Sequence, residues 1–99
     1  MTFLLTADTT PPVVTSCPDD ITTFVPFQSS GTVVTWTEPT ATDNSGMTPT
    51  VTQSHQPGDS FNVGTTTVTY TFTDMAGNQA QCSFSVTLGN YYICIEFHH

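Results

Sequence analysis

Thr67-Val68-Thr69-Tyr70-Thr71-Phe72-Thr73, then Asp74-Met75-Ala76-Gly77-Asn78, then Cys82-Ser83-Phe84-Ser85-Val86-Thr87-Leu88 is the stretch that decides the fold. Val68, Tyr70 and Phe72 fall on one face of the first run, with threonines on the other. Cys82, Phe84, Val86 and Leu88 alternate in the same way with Ser83, Ser85 and Thr87. A period of two with hydroxyls outward describes half-buried antiparallel strands and excludes helix. The short segment between them offers Gly77 for a positive-φ position, so the pair reads as a β-hairpin.

Working upstream, Val13–Cys17 reads as a first strand, opened by Pro11-Pro12 and closed by Pro18. Ile21–Val25 reads as a short edge strand ending before Pro26. Gly31–Thr37 follows with Val34 and Trp36 inward, then a loop over 38–46 containing Pro39 and Asn44-Ser45-Gly46. Strands over 48–54 and 60–63 are separated by the Pro57-Gly58 turn, and Gly64 precedes the hairpin. Short strands at this spacing, with turn residues between them, predict an all-β protein: an antiparallel β-sandwich of about seven strands. No helical pattern and no internal repeat appears.

Composition limits the function. Ninety-nine residues suit one domain. There is no Lys or Arg against eight acidic residues, for a formal charge of −8. Each carboxylate must therefore be solvated, bonded by hydroxyl or N–H donors, or matched by a metal ion or a partner. Nucleic-acid binding is excluded, because neutralising phosphates needs cationic side chains. Docking on an anionic membrane fails for the same reason. The apolar runs 3–5 and 91–97 fall far short of the ~20 residues a membrane span needs. Met1–Ala7 lacks the basic and apolar regions of an intact signal peptide, and Glu96-Phe97-His98-His99 reads as a cloning scar entering a truncated His tag.

Cys17 and Cys82 flank most of the domain and Cys94 lies beyond it, with no metal-type spacing among them. A Cys17–Cys82 disulfide in an oxidising, extracellular setting is the natural reading, against two buried free thiols in a cytosolic protein. Closing so long a loop stabilises by about 4 kcal/mol on the chain-entropy model.

Pro11-Pro12, Cys17-Pro18, Val34-Thr35-Trp36, Asp43-Asn44-Ser45-Gly46, Phe61-Asn62-Val63-Gly64, Thr73-Asp74-Met75-Ala76-Gly77-Asn78 and Cys82-Ser83-Phe84-Ser85-Val86 together resemble the hyalin repeat (HYR) module. Tyr70 is a further matched position. The resemblance implies an immunoglobulin-like sandwich that is extracellular or at the cell surface, adhesion-associated and not an enzyme. It implies contacts with an extracellular protein or glycan. It spans residues 8–88, leaving 1–7 as an N-terminal flank and 89–99 as a strand-like extension. Trp36 is then the expected core anchor near the disulfide.

The immunoglobulin-like arrangement would gather Asp8, Asp43, Asn44, Asp74 and Asn78 at one end of the sandwich. Oxygen ligands without a cationic competitor suit Ca²⁺, although Asp and Asn also favour turns in their own right. Asp19-Asp20 is expected to cap a turn facing solvent. Ser54, His55 and Asp59 sit close in sequence, but no catalytic motif surrounds them, so His55 reads as a loop residue. The twenty-two threonines reflect β-propensity and supply hydroxyl-lined sheet faces. Tyr91-Tyr92-Ile93-Cys94-Ile95 is a β-prone, uncharged run. It suggests a partner in the chain itself: a fibre subunit polymerising by terminal strand addition, with Cys94 available for an intermolecular disulfide.

Overall fold

The hairpin forms as its alternation requires, and the rest of the domain is built around it. The computed structural model describes residues 10–90. Its elements are β1 (Val13–Ser16), β2 (Ile21–Phe24), β3 (Gly31–Val33), β4 (Thr40–Thr42), β5 (Thr50–Gln53), β6 (Ser60–Asn62), β7 (Gly64–Thr73) and β8 (Gln79–Gly89), with no helix among the described residues. β7 and β8 pair antiparallel in unbroken register from Thr73↔Gln79 to Gly64↔Leu88. That register puts Val68 opposite Phe84 and Tyr70 opposite Cys82, so both apolar rows lie on one face.

The first sheet has the order β2-β8-β7-β5, with β2 parallel to β8 and the other neighbours antiparallel. The second layer is made of two ladders, β1–β4 and β3–β6. β3 and β4 are successive pieces of one run of chain, from 31 to 42. Beyond β3, Val34 donates its N–H to the Asp59 carbonyl at 3.1 Å and accepts from Gly58 N–H at 2.8 Å. Counting that run as one broken strand turns the eight segments into the seven of an immunoglobulin-like sandwich.

Two expectations change here. The strand expected over 31–37 is confined to Gly31–Val33, and Thr40–Thr42, read as loop, pairs with β1. Pro39 is buried between them and has no N–H for a ladder, so the strand stops and restarts around it. Gly31 is needed for the β3–β6 approach, because a Cβ there would overlap the Phe61 carbonyl oxygen.

The core lies between the layers: Val25, Val34, Phe61, Val68, Tyr70, Phe72, Cys82, Phe84, Val86 and Leu88, with Trp36 packed against it. The Trp36 ring meets Phe84 edge-on at 5.2 Å and Phe61 at 5.9 Å, arrangements that aromatic quadrupoles favour. Cys17 bonds to Cys82 with a Cα–Cα separation of 5.7 Å. Cys17 sits where the chain leaves β1 in one layer for β2 in the other, so the bond pins that crossover to β8. Asp20 reinforces the pin by accepting the Ser85 N–H at 2.8 Å. An antibody domain staples its two sheets differently, between its second and sixth strands.

Candidate functional site

The β7–β8 turn explains how a chain without cations buries a carboxylate. Gly77 takes φ 92°, which closes the turn with Gly77 N–H on the Asp74 carbonyl (3.1 Å) and Asp74 N–H on the Asn78 carbonyl (3.0 Å). Asp74 is only 7% exposed. Its Oδ1 accepts from Ala76 N–H at 3.0 Å and Asn78 N–H at 2.8 Å, and its Oδ2 from Asn78 Nδ2 at 3.1 Å. Backbone and amide donors thus replace the absent Lys or Arg.

The β4–β5 loop reaches the same end of the sandwich, because Thr50 pairs with Thr73. There Asp43 Oδ2 accepts from Ser45 N–H at 3.2 Å and from Ser45 Oγ at 2.5 Å. Asp43 Oδ1 is buried and has no hydrogen-bond partner among the described residues. Asp43 and Asp74 line one cavity of ≈ 60 Å³ together with Met47, Pro49, Thr73 and Met75. Of the residues expected to gather at this pole, Asp43, Asp74 and Asn78 do so. Asn44 is exposed and does not line the cavity. Asp8 lies outside the described residues, as do Tyr91, Tyr92, Ile93, Cys94 and Ile95. Among the described residues no three His, Cys, Asp or Glu side chains form a group able to hold a metal ion.

A second polar chain was not legible in the sequence. Trp36 Nε1 donates to Tyr70 Oη at 2.9 Å, and Tyr70 Oη donates to Glu38 Oε2 at 3.3 Å. Gln53 Nε2 also donates to Glu38 Oε2, at 3.3 Å. Burial pushes the Tyr70 hydroxyl above its usual value of 10.0, the Trp36 bond opposing and the Glu38 charge adding to the rise. The inward alternation of Trp36 and Tyr70 was the available signal; the 34-residue separation hid the contact.

Ser54 and His55 do meet, Ser54 Oγ lying 2.8 Å from His55 Nδ1. That hydroxyl also accepts the Thr69 N–H at 3.0 Å, and the His55 ring rests on Phe61 at 5.3 Å. Asp59 accepts the Gln56 N–H at 2.9 Å and so closes its own turn. These contacts build a loop onto β7. On the outer face of the first sheet, hydroxyls form cross-strand ladders, Thr65–Thr87 and Thr69–Ser83 both at 3.1 Å. Asp19 and Asp20 are exposed, as expected.

The fold and its staple define a class: a disulfide-pinned, immunoglobulin-like β-sandwich. The chain belongs to the HYR domain family, whose model matches residues 7–88, nearly the whole described sandwich. It is 53% identical over 81 residues to hyalin of Lytechinus variegatus and 51% identical over 91 residues to hyalin of Strongylocentrotus purpuratus. Those alignments cover 82% and 88% of this chain, but only 15% and 8% of the hyalins. A "sushi, von Willebrand factor type A, EGF and pentraxin domain-containing protein 1" from Rattus norvegicus is 42% identical over 73 residues, covering 72% of this chain and 2% of the relative. No solved structure matches the chain.

Proposed function

We propose that this chain is an extracellular, adhesion-type module that makes non-enzymatic contacts with a protein or glycan partner. The observation that carries the reading is the close similarity to two hyalins across nearly the whole sandwich. A Cys17–Cys82 disulfide in so small a domain agrees with an oxidising compartment. Ser54, His55 and Asp59 are engaged in building a loop, which favours a binding role over a catalytic one. Cell attachment to a surface coated with the folded chain tests this. Attachment above an albumin-coated control, lost when the chain is reduced and unfolded, is expected. Attachment no better than albumin overturns the reading.

Calcium belongs to this reading as a structural cofactor at the pole that holds Asp43 and Asp74. The buried Oδ1 of Asp43 favours it, being a carboxylate oxygen with no hydrogen-bond partner among the described residues, beside a cavity shared with a second carboxylate. Thermal melting with calcium against chelator tests it. A higher melting temperature in calcium, lost in Asp43→Asn, is expected; identical curves end the idea.

Polymerisation by terminal strands is the alternative, resting on the uncharged β-prone run Tyr91-Tyr92-Ile93-Cys94-Ile95. Electron microscopy of the purified chain tests it. Long regular filaments support the alternative, and compact particles alone dismiss it.

A further inference from the structure

The two layers of the sandwich end in four outer strands: β2 and β5 in the first, β1 and β6 in the second. An outer strand presents backbone N–H and C=O groups along its free side, and proteins guard such sides against stray pairing. Three of the four carry a guard. β1 breaks register between Val14 and Ser16. β2 is bracketed by Pro18 and Pro26, with Asp19-Asp20 before it. β6 has only three residues and follows Asp59. β5, Thr50–Gln53, contains no proline, no charge and no break in register. No strand lies on its far side among the described residues.

Just past β5, Ser54 donates its N–H to the Thr69 carbonyl at 3.0 Å. Bonding alternates along an antiparallel strand, so Thr50 and Thr52 bond towards β7 as Ser54 does, and the backbone groups of Val51 and Gln53 point to the free side. The side chains of those two residues lie on the core face, because they stand opposite the buried Phe72 and Tyr70. Val51 is nonetheless 47% exposed, against 5% for Phe72. Gln53 reaches Glu38, an exposed carboxylate. The bonds from Gln53 and Tyr70 both fall on Glu38 Oε2, and a carboxylate accepts about four. The chain has no Lys or Arg to meet that charge.

We infer that the free side of β5 takes an extended basic segment of a partner protein as a further antiparallel strand, an apolar side chain covering Val51 and a Lys or Arg two residues along reaching Glu38. Side chains two apart on a strand share a face, so one segment meets both. Main-chain bonds to Val51 and Gln53 hold the segment, and the two side chains select it. Charge decides the occupant. A second copy of this chain brings another −8 and no cation, whereas a basic strand is drawn to the surface and paired on it. The inference rests on the reading of the chain as a protein-binding module. Cell attachment measures any contact and the assay below measures one edge, so the two failures are distinguishable.

Amide NMR of the isotope-labelled Cys94→Ser chain tests this, with an end-blocked peptide of about eight residues in which threonine alternates with valine and lysine in turn. Shifts centred on 50–54 and slowed hydrogen exchange at Val51 and Gln53 are expected. Affinity should exceed that of the same peptide with glutamate for lysine by at least about fivefold, and fall as salt is raised. The lysine peptide methylated at its valine and lysine nitrogens keeps its charge but loses the donors a strand needs, so it should bind at least about fivefold more weakly. Glu38→Gln changes an exposed residue and keeps an oxygen for Tyr70 and Gln53; it should weaken binding at least about threefold with the rest of the spectrum unmoved. No shifts, shifts away from β5, equal binding of the glutamate or methylated peptide, or an unaffected Glu38→Gln overturns the inference. Concentration-dependent shifts at 50–54 without peptide overturn it too, because a second copy would then be the occupant.

Discussion

Replacing Asp74 with alanine removes the acceptor around which the β7–β8 turn is built. Its carboxylate takes two backbone N–H groups and one amide, at 2.8–3.1 Å, while the residue is 7% exposed. A partly buried donor left without its acceptor costs about 1–3 kcal/mol. Water reaches part of the turn, since Met75, Ala76 and Gly77 are exposed, so the lower half of that range applies to each donor. Over the three donors the sum for Asp74→Ala is about 3–6 kcal/mol, a large share of the stability of a domain this size. Asp74→Asn keeps an oxygen for the backbone donors but faces the Asn78 amide with a second donor, so about 1–2 kcal/mol is expected. Met75→Ala, at 83% exposure, serves as the control and should change stability by less than about 0.5 kcal/mol. Urea unfolding followed through Trp36, the only tryptophan, measures all three in chelator. An Asp74→Ala loss no larger than the Met75→Ala change would show that the turn does not depend on this carboxylate.

Gly77→Ala should destabilise by about 1–2 kcal/mol, through the positive φ of 92° alone, because nothing lies within 4 Å of the added Cβ; an unchanged urea midpoint refutes this. Tyr70 makes stability fall at alkaline pH. Its folded pKa lies above the usual tyrosine value of 10.0, so the unfolded chain releases this proton first and stability declines as pH rises beyond about 10. Stability curves of Tyr70→Phe against the parent should show a shallower alkaline decline in the variant, and parallel curves contradict the burial argument. Leu88→Ala, removing a side chain buried at the end of β8, should cost about 2–5 kcal/mol in the same urea assay, and a loss below 1 kcal/mol would show that the core does not extend to that end.

What the sequence made legible was whatever strict alternation reports. The hairpin could be read because seven alternating positions in each strand agree, and the observed register places Val68 opposite Phe84 as that pattern requires. β4 could not, because Thr40-Ala41-Thr42 turns only an alanine inward and follows a proline. The Asp43–Asp74 pole was legible through topology, since any sandwich of this order brings those two turns together. The depth of Asp74 and the orphaned oxygen of Asp43 were not, because both depend on loop geometry rather than periodicity. The Trp36–Tyr70–Glu38 chain stayed hidden for a related reason: it joins side chains on separate strands whose spacing carries no pairwise signal.

The disulfide carries the most weight, since it joins the β1–β2 crossover to β8 and supports the proposed extracellular setting. Peptide mapping without reduction, on chain secreted by cultured cells, examines it directly. A fragment in which Cys17 is linked to Cys82, with Cys94 in neither half, is expected. Recovery of Cys17 and Cys82 as free thiols, or of Cys82 bonded to Cys94, would contradict it.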